Sequence, residues 1–174
     1  MKKCKRLDAG FAPYHMLWLL LALAVLATGA WRWHRASTRI KQCESNLLNI
    51  YRALELYELH HGRLPVMAFY PDDPRHAPDS LLVVLDPYAV SGDLGYCPNA
   101  HARIQKHGLS YVWNTKMNGQ RLNEPTPPVW LLSDIGTLSK TIKPPHFRRY
   151  LILYSDGSIV RSKNPPDDIR RISY

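Results

Sequence analysis

A histidine and an aspartate at a fixed spacing are the residues in this sequence that first suggest chemistry. His146 is followed by nine residues and then by Asp156-Gly157. A histidine in contact with a carboxylate could transfer protons or help to bind a metal ion. The intervening residues are typical of a β-strand, which would hold the two side chains about 30 Å apart. The spacing therefore favours structure, with His146 entering a strand and Asp156-Gly157 forming a hairpin turn.

Other residue patterns give no indication of catalysis or of a cofactor. The chain has 8 histidines, but His60 and His61 are adjacent, so that their rings would point to different faces of a helix. Metal-binding pairs on helices are spaced three or four residues apart. The sequence also lacks a serine nucleophile elbow, a phosphate-binding loop and a Cys-x-x-Cys motif. We predict a protein that is not an enzyme, with no catalytic residue, no metal and no cofactor.

Composition allows one domain and an appendage. The chain has 174 residues, is 45% hydrophobic and carries a formal net charge of +9. This charge suggests an anionic neighbour, which could be a lipid surface, a nucleic acid or an acidic partner. The basic residues are spread along the chain and do not form one run, so we expect no specific nucleic-acid binding.

An apolar segment near the N-terminus predicts a transmembrane helix over residues 11–31. It follows a basic leader, residues 1–10, and has no charge between Met16 and Ala30. Its length suits a bilayer core, and aromatic residues at its ends suit the interfaces. A signal peptide cleaved near Ala30 is the alternative. The helical pattern continues without a break past Arg32, which favours a retained anchor.

An amphipathic continuation of the same helix is predicted over residues 32–65. Its apolar residues recur in steps of three and four, as on one face of a helix: Ile40, Cys43, Leu47, Ile50, Leu54 and Tyr57. Gly62 and Pro65 then provide a stop signal. The simplest object is a single helix from about Tyr14 to His61.

A loop-rich region and a small sheet are predicted over residues 66–162. One short helix, capped by Ser80, is expected in the first part. Four strand-like runs follow, at residues 109–114, 128–134, 149–155 and 158–162. Residues 163–174 are expected to be a loose C-terminal tail. The predicted fold class is therefore α+β, with a long N-terminal helix packed on a small antiparallel sheet.

This arrangement resembles the type IV pilin and type II secretion pseudopilin superfamily, and within it the H-X9-DG prepilin-type family. The resemblance extends over about residues 10 to 162 and implies a pilin-like fold. Its motif residues would then be structural. They are Cys43, Asn46, Leu47, Tyr57, Gly62 and Pro65 on and after the helix, Tyr96-Cys97-Pro98, Ser110-Tyr111 with Asn114, and His146 with Asp156-Gly157.

The resemblance, together with an oxidising compartment, implies a disulfide between Cys43 and Cys97. Such a bridge would tie the long helix to the loop before the sheet. Two buried free thiols are the alternative. The third cysteine, Cys4, lies in the leader and is expected to be reduced.

The resemblance also identifies a possible processing site at Gly10-Phe11. In this family a prepilin peptidase cleaves between glycine and phenylalanine, and a glutamate follows at the fifth mature position. That position is His15 in this chain. A histidine does not supply a fixed negative charge at neutral pH. The departure places both cleavage and filament assembly in doubt.

From the resemblance we expect a pseudopilin-like structural subunit or accessory of a type II secretion or type IV pilus-like system. The alternative is a membrane-anchored extracytoplasmic binding module of pilin ancestry that no longer assembles. The expected partners are membrane lipid and pilin-type subunits with their machinery. The expected location is a bacterial inner membrane, crossed once, with a cytoplasmic N-terminus and an extracytoplasmic head.

Overall fold

The computed structural model describes residues 13–89, 94–139 and 141–169. The chain divides into two compact units, Met1–Ser37 and Thr38–Tyr174. The helices in the described part are α1 (Pro13–His61), α2 (Leu81–Leu85) and α3 (Ala102–His107), with three short 3-10 turns at Asp86–Tyr88, Thr115–Met117 and Ile135–Leu138. The strands are β1 (Tyr111–Trp113), β2 (Trp130–Asp134), β3 (Tyr150–Tyr154) and β4 (Ile159–Ser162). The layout is α+β, as predicted.

The first unit contains the apolar part of α1. Its large apolar side chains, which in a globular domain would be buried in the core, are exposed. Leu17, Leu20 and Val25 are 58%, 60% and 69% exposed. Among the residues that the structure describes, α1 is the one helix long and apolar enough to cross a membrane. These features fit a protein that crosses a membrane once.

The later part of α1 belongs to the second unit and supplies the centre of its core. The predicted stripe is buried at Ile40, Cys43, Leu47, Ile50 and Leu54, and Tyr57 is half-buried against the same cluster. The helix ends where the sequence predicted. Gly62, with a φ of +76°, donates its N–H to the carbonyl of Glu58, and this left-handed conformation suits glycine.

The four strands form one antiparallel sheet in the order β1-β2-β3-β4. Because neighbouring residues of a strand point to opposite faces, the sheet has two apolar sides. One side packs on the buried stripe of α1. It is formed by Tyr111, Trp113, Leu131, Leu132, Leu151 and Leu153. A register shift between Trp130 and Leu132 lets two successive residues of β2 contribute to this side.

The opposite side of the sheet is covered by the end of the described chain. Val112, Trp130 and Ile152 form a second cluster with Ile169, which is fully buried. A loose tail was expected from residue 163; Ile169 is instead docked on the sheet, and residues 170–174 lie outside the described part. A single apolar residue among prolines and charges was too weak a signal to predict this docking.

Polar contacts hold the same segment in place. Asp168 accepts hydrogen bonds from the Lys116 ammonium and from the Trp130 indole N–H, each at 2.7 Å. Burial opposes ionisation of Asp168, but the hydrogen bonds from Lys116 and Trp130 outweigh it, so that the pKa of this carboxyl is lowered.

Two local predictions have different outcomes. The short helix capped by Ser80 is confirmed as α2, whose first turn donates the Leu82 N–H to the Ser80 hydroxyl. Helix α3 was not predicted. It has six residues, too few to show a periodic pattern, and lies between an N-cap at His101 and a left-handed Gly108. The histidine N-cap and the glycine at the C-terminal end were not sufficient to predict a helix this short.

The hairpin at Asp156-Gly157 is confirmed between β3 and β4. Gly157 has a φ of +79°, and Asp156 accepts a hydrogen bond from the Ser158 N–H at 2.9 Å. The side-chain and backbone hydrogen bonds of Ser158 lower the pKa of the Asp156 carboxyl. The turn also lies against α1, since a Cβ at Gly157 would be 3.0 Å from the ring of Tyr51.

We predict that Gly157→Ala lowers the free energy of unfolding by about 2 kcal/mol, part of it for positive φ and part for crowding of Tyr51. The matched control is Gly119→Ala. Gly119 also has positive φ, +69°, but an added Cβ would meet no described atom within 4 Å. Gly119→Ala should lower the free energy of unfolding by only about 1 kcal/mol, the part that positive φ explains. Chemical denaturation of the detergent-solubilised proteins measures both values, and equal losses would contradict the contact with Tyr51.

A second prediction concerns acid stability. Because the pKa of Asp168 is lowered in the folded chain, its contribution exists above the ordinary carboxyl pKa of about 3.9 and disappears as the pH falls through the lower folded value. Asp168→Asn should therefore lower the free energy of unfolding by about 1–2 kcal/mol at neutral pH and by much less at a pH below the lowered folded pKa. Asp167→Asn, at the exposed neighbouring position, should have little effect at either pH. A pH-independent loss for Asp168→Asn would refute the ionic explanation.

Candidate functional site

A disulfide lies at the centre of the candidate site. Cys43 of α1 is bonded to Cys97 in the loop before α3, and both residues are fully buried. The predicted pairing is therefore present. One helical turn further on, the amide of Asn46 donates to the carbonyl oxygen of Tyr96. Two side chains on one face of α1 thus tie two consecutive residues of the loop to the helix.

His146 lies against this disulfide. Its side chain is buried, and its Nε2 atom is 3.6 Å from Cys97 Sγ. The same Nε2 atom is 3.4 Å from Asp134 Oδ2, at the end of β2. Its other nitrogen, Nδ1, is buried and has no hydrogen-bond partner among the described residues. The partner that the spacing first suggested, Asp156, is instead an exposed turn residue.

The backbone after His146 explains its position. His146 and Arg149 exchange two backbone hydrogen bonds, of 3.2 and 3.1 Å. The two residues between them, Phe147 and Arg148, both have positive φ, 51° and 62°. This is the conformation of the tight hairpin turn that normally favours Asn-Gly. It leaves Phe147 half-exposed and directs the preceding imidazole into the core.

Asp134 is a buried carboxylate with several polar and aromatic neighbours. Its Oδ2 atom accepts the Leu151 N–H at 2.7 Å, which fixes the carboxylate against β3. Burial and, after it, the negative charge of Asp134 raise the pKa of Tyr111 well above its usual value. The same two causes raise the pKa of Tyr150. Both phenols therefore remain neutral beside the carboxylate at physiological pH.

A cavity of about 560 Å³ adjoins the cluster. Ser110, Asp134 and Pro145 line it, and these residues connect it to the disulfide and to His146. Ser110 accepts the Cys97 N–H at 3.1 Å. The lining also includes the basic residues Arg103 and Lys143, both at exposed positions. The cavity therefore has one buried acidic residue, Asp134, and exposed basic residues in its lining.

The remaining residues named from the sequence lie in different places. Gly10 and Phe11 are outside the described residues. Gly62 ends α1, and Pro65 is buried after it. His61 stacks on Tyr57 and exchanges a hydrogen bond with the Tyr88 hydroxyl at 2.7 Å. These residues are not part of the disulfide cluster.

The sequence did not indicate that His146 meets Asp134 and Cys97. The three residues come from a turn, a strand end and a loop that are far apart in the chain. The one available signal was a carboxylate two residues after the apolar run 129–132, at the end of a predicted strand. Its partner could not be identified without the register of the strands.

Comparison of the chain with models of protein families, with curated proteins and with solved structures found no match.

Proposed function

We propose that this protein is a membrane-anchored structural subunit or accessory of pseudopilin type, serving a type II secretion or type IV pilus-like system. The observation that carries the proposal is the division of α1 into two kinds of surface. The helix is apolar and exposed from Tyr14 to Trp31, whereas from Ile40 onward one face is buried under a small antiparallel sheet. A pilin-like subunit needs this combination of a lipid-compatible helix and an attached head.

The exposed part of α1 has favourable energetics in a bilayer. On the biological insertion scale an apolar residue at the helix centre contributes about −0.3 to −0.6 kcal/mol, whereas Lys, Arg or Asp costs about 2.5–3.5 kcal/mol. The segment from Met16 to Ala30 has no charged residue. The favourable terms of its leucines and valine are therefore not opposed by any charged residue, and the same surface would pack against like helices in a filament core.

The proposed location is a bacterial inner membrane, with the N-terminus in the cytoplasm and the head outside. The buried disulfide between Cys43 and Cys97 supports an extracytoplasmic head, because disulfides persist in oxidising compartments. The partners in this proposal are membrane lipid and other pilin-type subunits. The head has no proposed enzymatic role, cofactor or specific nucleic-acid partner.

Intact mass tests the proposal. We expect the protein extracted from its native membrane without reductant to begin at Phe11, because a filament subunit is released from its leader by prepilin peptidase. The native mass should also be two hydrogens below that of the reduced chain. A full-length chain would show that Gly10-Phe11 is not cleaved and would favour the second function described below. A chain that begins after Ala30 would overturn the anchor.

The cavity favours a second candidate function, that of a membrane-anchored extracytoplasmic binding module of pilin ancestry. Its volume of about 560 Å³ falls in the range of small-ligand sites. Arg103 and Lys143 offer positive charge, while Ser110 and Asp134 offer hydrogen-bonding groups. An acidic saccharide has both a carboxylate for the first pair and hydroxyls for the second. The ligand class in this alternative is therefore an anionic oligosaccharide.

Binding of a uronic-acid oligosaccharide to the solubilised full-length protein tests this alternative. Arg103→Glu should weaken binding about tenfold or more, because it reverses a charge on the cavity lining. Lys106→Glu is the matched control. Lys106 is exposed on the same helix, α3, and does not line the cavity. Equal weakening by both substitutions would indicate general charge attraction, and absence of binding to the unaltered protein would exclude this ligand class.

A further inference from the structure

Four potential metal ligands converge beside the cavity. In the described part of the chain, Cys43, Cys97 and His146 form a group whose ligand atoms lie within 4.8 Å of one another. Asp134 adds a carboxylate oxygen, 3.4 Å from His146 Nε2. All four residues are at most 2% exposed. Two sulfurs, an imidazole and a carboxylate are ligands that zinc accepts.

We propose that reduction of the Cys43–Cys97 disulfide converts this cluster into a zinc site. Its ligands are the two thiolates, Nε2 of His146 and Oδ2 of Asp134. The oxidised chain has a covalent crosslink at this place, and the reduced chain has a metal centre that joins the same two segments. The site is thus a redox-dependent one, closed to the metal while the sulfurs are bonded to each other.

The distances between donor atoms support the proposal. Around a tetrahedral zinc ion, bond lengths of about 2.3 Å to sulfur and about 2.0–2.1 Å to nitrogen and oxygen place sulfur about 3.6 Å from nitrogen and nitrogen about 3.3 Å from oxygen. The structure has 3.6 Å between Cys97 Sγ and His146 Nε2. It has 3.4 Å between His146 Nε2 and Asp134 Oδ2. After reduction the two sulfurs must separate to about 3.8 Å, which rupture of their bond permits by side-chain rotation, and the Asp134 carboxylate must move closer to them.

The surroundings of the donors also suit a metal centre. The Leu151 N–H holds the Asp134 carboxylate, and the Ser110 hydroxyl holds the backbone at Cys97. Such outer contacts orient ligands and strengthen metal binding. Among the four proposed ligands, Asp134 lines the cavity, so it is the ligand that a metal ion arriving from the solvent would meet first.

A purely structural role explains the cluster less well. A buried carboxylate costs folding free energy that an apolar side chain would not. A divalent cation would offset two of the three negative charges that Asp134 and the two thiolates carry together.

The reaction balances with an external reductant of the phosphine class. The phosphine transfers two electrons to the disulfide and takes an oxygen atom from water to become a phosphine oxide. The two sulfurs take up the two protons of that water and become thiols. Binding of Zn²⁺ then releases both thiol protons, because thiolate is the form that coordinates the metal.

The test uses full-length protein in detergent micelles, with Cys4→Ser in every sample so that the leader thiol cannot contribute. The protein is reduced with a water-soluble phosphine, freed of it and titrated with Co²⁺ as a spectroscopic probe. We expect one equivalent to bind with thiolate charge-transfer and visible bands typical of a tetrahedral site, and Zn²⁺ to displace it. The oxidised protein should give no such spectrum.

Three substitutions make the test specific. His146→Asn and Asp134→Asn should each weaken Co²⁺ binding about tenfold or more, whereas His101→Asn, at an exposed lining position of the same cavity, should not. An unfolded reduced chain could bind Co²⁺ through its cysteines alone, but His146→Asn would then change nothing. An unchanged Co²⁺ affinity in His146→Asn, or absence of the bands in the reduced protein, would overturn the proposal.

Discussion

The contact between the buried stripe of α1 and one face of the sheet is the interaction on which the second unit depends. Leu47, Ile50 and Leu54 are fully buried, and full burial of one such side chain contributes about 1.5–3 kcal/mol. The sheet has only four short strands, so it could not form a stable core without the helix. The disulfide and the amide of Asn46 then fix the loop before α3 to the same helix, and this places Cys97 where β2 and the turn before β3 can reach it.

The candidate site is a product of this arrangement and of one unusual turn. The antiparallel register of β2 and β3 brings the Asp134 carboxylate to the Leu151 N–H. The turn at Phe147-Arg148 then returns His146 towards the disulfide. Neither residue of that turn is glycine, although both have positive φ, so the conformation is maintained at a cost of about 1–2 kcal/mol for each residue. Burial of the imidazole in the cluster accompanies this strained backbone.

Local sequence patterns were sufficient for much of the fold, but not for the site. Spacing predicted the stripe on α1 and its end at Gly62, and Asp156-Gly157 predicted the last hairpin. These features depend on residues close together in sequence. The meeting of His146, Asp134 and Cys97 depends on strand register and on a turn that its residue types do not favour. The docking of Ile169 depends on side chains from three strands that meet on the far face of the sheet. A short stretch of sequence cannot predict such a meeting.

The segment between His146 and Asp156, which contains β3, is held at both of its ends by contacts with other parts of the domain. Its start is fixed at the disulfide of Cys43, and its end is fixed by Gly157 against Tyr51. Cys43 and Tyr51 are about 12 Å apart along the helix axis, and the five residues of β3 extend about 13 Å. The strand is thus about as long as the helical segment between these two contacts. Insertion or deletion of one residue within β3 would turn the side chains beyond it to the wrong face, so the length of the strand is constrained at both ends.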